Sequence, residues 1–322
     1  MTKILPILFV LLCSTTALSQ PRDTPQEIEL GRKLFHDTRL SRNGTVACAT
    51  CHKSERLFTD GLPLAQGING RIGDKHTPTV LTAAYSPFQF WNGRTDGIRE
   101  QSIQPLINQN EMGFNDVEDA MDVLRSNAGY RRLFAQVYGS PGINRRRYAS
   151  ALEAYQRTKM IWDSPVQKRM AGYEMALDEQ AERGYQTMIR NRCFECHTPP
   201  LFTDMRFHNT GISALIDEDD RGRIDILPQA QRENTPEKLR AWKTPTLLGI
   251  HYTAPYTHVG VIPTLQAMVS HYATGGGNDR FRDPRVKAIR LNSQEVDDVV
   301  HLLDVGFHSK KNNPKDSKPA LP

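Results

Sequence analysis

Four of the five cysteines stand in two copies of one pattern, Cys48-Ala49-Thr50-Cys51-His52 and Cys193-Phe194-Glu195-Cys196-His197. Two thiols at this spacing can add to the two vinyl groups of one haem, and the imidazole that follows can bind its iron from below. The rival readings are a zinc half-site and a Cys-x-x-Cys redox pair. Zinc needs four convergent ligands at each site, and a redox pair has no use for a second, distant copy. Spacing and duplication together therefore predict two covalently bound haem c groups, one on Cys48, Cys51 and His52, the other on Cys193, Cys196 and His197. Both histidines are then iron ligands.

The other face of each iron decides the chemistry. A haem that only carries electrons wants two strong axial ligands, whereas one that activates peroxide wants an open face with an acid-base group above it. Candidate sixth ligands are His76 and Met112 in the first half, and His251, His258, Met268, His271 and Tyr272 in the second. Splitting peroxide needs a group that takes a proton from the inner oxygen and returns it to the outer one. Glu111 could do this, with Gln101 as a neutral hydrogen-bonding companion. By residue type alone, a solvated loop carboxylate and an ordinary core methionine are the plainer readings of Glu111 and Met112.

These residues must be positioned by a fold that is itself repeated. His52 is followed by Leu57-Phe58-Thr59-Asp60 and His197 by Leu201-Phe202-Thr203-Asp204; Thr77-Pro78-Thr79-Val80-Leu81 and Tyr85 answer Thr244-Pro245-Thr246-Leu247-Leu248 and Tyr252. Such a repeat predicts an internal duplication. Thr24-Pro25-Gln26-Glu27 reads as a capping box leading into Ile28, Gly31, Leu34 and Phe35 at helical spacing, and Ala181 to Ile189 plays the same part in the second half. Asn115 or Asp116 caps a helix through Met121 and Leu124, and Asn144 caps another through Ala151, Leu152 and Tyr155. No run alternates convincingly as a strand. The class is mainly α, two tandem cytochrome c-like domains, each wrapping one covalent haem, with the boundary between Met160 and Glu174.

Lys3, the apolar run Ile4 to Leu12 and the small residues Ala17-Leu18-Ser19 make residues 1–19 a secretory signal peptide, too short for a membrane span. The fifth cysteine, Cys13, lies inside it, so the mature chain keeps no thiol for a disulfide. The N-terminal haem domain is then 20–165, the C-terminal one 166–308, and 309–322, rich in Lys, Asn, Pro and Ser, a disordered tail. The expected location is the periplasm, and no later apolar run spans a bilayer. A net charge of +5 is partly offset by haem propionates and carries no inference of nucleic-acid binding.

The residues resemble the bacterial dihaem cytochrome c peroxidase and MauG family through nearly all of the mature chain. The likeness rests on Phe90-Trp91-Asn92-Gly93-Arg94, Gln101, Asn110-Glu111-Met112, Lys243-Thr244-Pro245-Thr246-Leu247, and Thr253-Ala254-Pro255-Tyr256 with His258. It implies that the His52 haem is the peroxidatic one, that Glu111 is its acid-base residue beside Gln101, and that Trp91 lies between the haems as an electron bridge.

Two departures bear on function. The family's classical peroxidases close the peroxidatic iron with a histidine where this chain has Ile68, so the iron is expected to be open without reductive activation. Where they carry a methionine at the electron-transfer haem, this chain has Tyr272, as MauG does, with His271 as the alternative and Met268 behind it. His76 stands where the family has asparagine and reads as a satisfied histidine at the surface or the haem edge. The family's interdomain calcium uses that asparagine with oxygens matching Thr253 and Pro255. Losing a hard oxygen donor lowers calcium affinity, so Thr253 and Pro255 remain candidate calcium ligands only.

The resulting expectation is a peroxidase that reduces hydrogen peroxide with electrons relayed between two haems, supplied by a small periplasmic donor such as a cytochrome c or cupredoxin. Two alternatives stay open. One is a MauG-like oxidase of a protein or organic substrate, and the other is a dihaem electron carrier with both irons closed.

Overall fold

The structure, a computed structural model, describes residues 23–216, 221–235, 238–309 and 321–322. The signal segment 1–19 and most of the 309–322 tail lie outside them. Of that tail, Ser309 is buried with its hydroxyl donating to Asp163, and the Pro322 carbonyl accepts from Arg39 and Asn127.

The first half is framed by α1 (Pro25–His36) and ends on α7 (Arg145–Arg157); between them come the short α2 (Cys48–Cys51), α3 (Gly97–Gln101) and α4 (Gln104–Ile107), then α5 (Val117–Ser126) and α6 (Ala128–Tyr138). Thr24 caps α1 by accepting from the Glu27 N–H at 3.1 Å. Glu27 does not close the box. Its carboxylate accepts instead from the Tyr138 and Ser150 hydroxyls, at 2.9 and 2.8 Å, tying α1 to α6 and α7. Asp116, rather than Asn115, caps α5, and Asn144 caps α7 as expected. Asn127 ends α5 and caps α6 in the same step, which gives a helix the apolar spacing had not indicated.

The second half repeats the plan with α8 (Pro165–Met170), α9 (Glu179–Arg190), α10 (Gln229–Asn234), α11 (Leu265–Ala273) and α12 (Ser293–Val305). Asp178 and Asn292 cap α9 and α12. Two antiparallel ladders do form, β1 (Phe88–Gln89) with β2 (Thr95–Asp96) and β3 (Phe207–His208) with β4 (Trp242–Lys243). At two residues each they are too short to leave an alternating signature. No described helix is long and apolar enough to cross a membrane.

In both halves the first long helix crosses the last at a glycine. A Cβ on Gly31 would lie 1.9 Å from the Ala151 carbonyl oxygen of α7, and one on Gly184 would lie 2.2 Å from the Asp298 carbonyl oxygen of α12. Backbone oxygen inside a helix cannot step aside, so the helices can approach this closely only without a side chain. Gly31→Ala should therefore cost about 3 kcal/mol in a denaturant melt, despite alanine's better helix propensity. An unchanged midpoint would show that the crossing yields.

Candidate active site

The first Cys-x-x-Cys pair lies on α2 and the second on a single 3-10 turn, Cys193–Glu195. In each, the histidine N–H closes back on the first cysteine's carbonyl, at 2.8 Å for His52 and 3.0 Å for His197. His52 Nδ1 donates to the Phe58 carbonyl at 3.0 Å, and His197 Nδ1 to the Phe202 carbonyl at 3.2 Å. A carbonyl can only accept, so the ring proton sits on Nδ1 and the lone pair on Nε2. Burial pushes both imidazoles below their usual range, which keeps them neutral. A neutral ring fixed through Nδ1 is what a metal-binding histidine requires.

The repeated sequence motifs explain how the segments bearing those carbonyls are held. Thr79 Oγ1 donates to the Leu57 carbonyl and Thr246 Oγ1 to the Leu201 carbonyl, both at 2.6 Å. Thr59 and Thr203 donate to the carbonyls of Thr77 and Thr244, at 2.8 and 2.6 Å. Thr77 and Thr244 in turn donate to Asp60 and Asp204, both at 2.8 Å. The Leu-Phe-Thr-Asp and Thr-Pro-Thr segments are thus two parts of one buried clip, built twice.

The four thiols are unpaired. Burial pushes Cys48 and Cys51 up to about 12 and Cys193 up to about 11, so they are neutral thiols and poor exchange nucleophiles. The buried Tyr148 hydroxyl has no hydrogen-bond partner among the described residues and lies within electrostatic reach of Cys48. Fixed histidines, protonated thiols and this hydroxyl all fit a covalent haem.

Glu111 sits beside the first pair, close enough to bear on both Cys48 and Cys51. Burial pushes its carboxyl above the usual range, and Asp74 adds to this, while Arg94 and a hydrogen bond from Asn108 Nδ2, 2.6 Å long, pull the other way. The Ile68 N–H donates to the Glu111 carbonyl at 2.9 Å, and a Cβ on Gly67 would lie 2.0 Å from the Asn110 carbonyl oxygen. Ile68 therefore lies against the Glu111 loop, where its side chain meets Gly113. Met112 is buried. Gln101, at the end of α3, is half-buried, and among the described residues the donor to Glu111 is Asn108.

Around the second pair, Tyr272 is the candidate within electrostatic reach of Cys193 and Cys196; its hydroxyl also hydrogen-bonds Thr210, and burial pushes it far above its ordinary range. His271 turns away, with Nε2 against the Thr210 carbonyl at 2.9 Å. His251 Nδ1 meets the Asp304 carboxylate at the surface, and His258 stacks on Trp242 with ring centres 3.9 Å apart.

The family model for dihaem cytochrome c peroxidase matches residues 25–175. The chain is 32% identical to the methylamine utilization protein MauG of Methylophilus methylotrophus, over 89% of this chain and 83% of that protein. The chain belongs to the dihaem cytochrome c peroxidase and MauG family. It is 30% identical to the cytochrome c551 peroxidase of Nitrosomonas europaea, over 81% of this chain and 77% of that one. Among solved structures, a MauG-like protein associated with microbial copper homeostasis superposes with a TM-score of 0.82 at 26% identity, covering 92% of this chain and 93% of its own. As a member of this family the chain is a helical, haem-dependent oxidoreductase of the peroxidase class, with hydrogen peroxide as acceptor.

Trp91 of this dihaem family member lies where the halves meet. Its indole N–H donates to the His76 carbonyl at 2.8 Å, its own carbonyl accepts from the Lys243 N–H at 2.8 Å, and Lys243 Nζ donates to the Phe88 carbonyl at 2.9 Å. His258 stands between two indoles, 6.4 Å from Trp91 edge-on and stacked on Trp242. Asn108 and Trp242 carry no signal of their own, since an asparagine in a polar run and a lone tryptophan before a lysine fit many settings. The Asn108 role was open only to the reasoning that a working carboxyl needs a neutral donor nearby, which had pointed to Gln101.

Proposed function

We propose that this chain is a periplasmic dihaem c-type peroxidase, exported through residues 1–19, whose haem-binding units are 20–165 and 166–308. Cys48, Cys51 and His52 would hold the peroxidatic haem. Cys193, Cys196 and His197 would hold the electron-transfer haem, with Tyr272 as a further residue that would bind its iron and His271 as the alternative. Bound there, the haems supply peroxide binding and one-electron transfer. Glu111 takes the proton from the near oxygen of hydrogen peroxide and delivers it to the far oxygen, which leaves as water. Asn108 orients the carboxyl, and the exposed Arg94 guanidinium keeps it from becoming a permanent acid. Gln101 is assigned a supporting place at the same pocket. Trp91 supplies an aromatic path between the units, and a small donor such as a cytochrome c or cupredoxin delivers the electrons.

The observation that carries this reading is a carboxyl raised by burial, hydrogen-bonded and set beside the first thiol pair, with isoleucine rather than histidine on the adjoining loop. A second reading gives the oxidising equivalents to a protein substrate. It is favoured by Tyr272 within electrostatic reach of the second thiol pair and by relatives named for methylamine utilization. Electron paramagnetic resonance of the diferric protein tests both against a plain carrier. One high-spin and one low-spin centre are expected, with the high-spin signal responding to peroxide before any reduction. Two low-spin centres would exclude both peroxide readings, and inertness until reduction would remove the role given to Ile68.

A further inference from the structure

His76 is not at the surface. It is 4% exposed and is held where the two halves meet. Its N–H donates to the His258 carbonyl at 2.8 Å and its carbonyl accepts from Trp91 Nε1 at 2.8 Å. Its ring Nδ1 donates to the Leu62 carbonyl at 2.7 Å, and the ring lies against the Thr253 backbone. Leu62 belongs to the loop after the first haem motif, and Thr253 and His258 to the loop before α11.

The interdomain calcium implied by the family would need these same groups, and they do not fit it. Calcium takes about six to eight oxygen ligands. Here the Leu62 carbonyl already accepts from the His76 ring, the Thr253 backbone lies against that ring, and Thr253 Oγ1 donates to the Ile250 carbonyl at 3.1 Å. Nor do three carboxylate or imidazole groups converge here. Among the described residues the cluster with metal-binding spacing is Cys196, Asp204 and His208, in the second haem pocket.

We propose that the His76 imidazole replaces the calcium ion. It is a metal-free clasp that draws the Leu62 loop and the Thr253 loop together and fixes the carbonyl to which the Trp91 indole donates. His76 is then a positioning residue for Trp91. The clasp does not depend on the peroxide chemistry, so melting and metal content read it separately from turnover.

The test uses the full holoprotein carrying both haems. Wild type passed through gel filtration should hold essentially no calcium by elemental analysis, and EGTA should leave its apparent melting temperature unchanged. His76→Ala should melt lower by about 3–6 °C, since it leaves the Leu62 carbonyl without its donor and a void where the buried ring stood. His76→Asn should melt lower in EGTA and recover on adding calcium chloride, because the amide oxygen restores a hard donor and frees the Leu62 carbonyl. One calcium per wild-type chain, or a lower melt in EGTA, would overturn the clasp. So would His76→Asn that calcium fails to rescue, since the ring would then not occupy the cation's place. Should His76→Ala fail to assemble, the wild-type calcium content and EGTA melt still decide.

Discussion

Glu111→Ala should leave both haems attached and lower peroxide turnover by about 10²–10⁴-fold, the usual worth of a positioned acid-base group. The fold should tolerate the change because the Glu111 backbone, not its side chain, holds Ile68 in place. The carboxyl has one described hydrogen bond to lose, from Asn108. Its pH dependence adds a check that a structural role would not satisfy. To accept a proton Glu111 must start ionised, and burial raises its pKa, so the acid limb of turnover should lie above the ordinary glutamate value of about 4.3. Arg94 opposes that shift, and Arg94→Gln should move the limb to still higher pH. The movement should be small, because Arg94 is exposed and its pull is screened. Unchanged turnover in Glu111→Ala, or an acid limb that ignores Arg94, would remove Glu111 from the mechanism.

What the sequence made legible follows from how each feature is built. The two Cys-x-x-Cys-His turns could be read because their residues are adjacent in the chain, and the clip around them because the same threonines and aspartate serve twice. The framing helices were legible through their caps and apolar faces. Less visible were features made by residues far apart in the chain. Glu27 looks like the second half of a capping box, yet its carboxylate is used by Tyr138 and Ser150, which no local pattern reveals. His76 differs from the family's asparagine by one residue, and a surface or haem-edge place was the simple expectation. Its burial comes from Leu62, from Trp91 and from the loop that carries Thr253 and His258, three segments far apart in the chain. A donor to Glu111 is Asn108, which the turn before Glu111 brings within 2.6 Å and which residue type alone does not single out.

Tyr272→Phe should convert the electron-transfer haem alone, removing its low-spin signal, while the signals of the other haem stay as they were. On α11 neighbouring residues project about 100° apart, so His271 and Tyr272 cannot both face the second thiol pair. His271 already spends Nε2 on the Thr210 carbonyl, whereas Tyr272 is the residue on which Cys193 and Cys196 bear. Burial by itself holds the Tyr272 hydroxyl neutral, so a phenolate forms there only against the charge of a bound cation. An anionic ligand stabilises the oxidised metal, so losing the phenol oxygen should also raise the reduction potential of that one haem. His271→Ala should cost about 1 kcal/mol for the lost hydrogen bond and leave both spectra intact. The reverse pattern, a silent Tyr272→Phe and an altered His271→Ala, would transfer the ligand role to His271. The second site would then be an ordinary bis-histidine relay, and the argument from Tyr272 for oxidising a protein substrate would go with it.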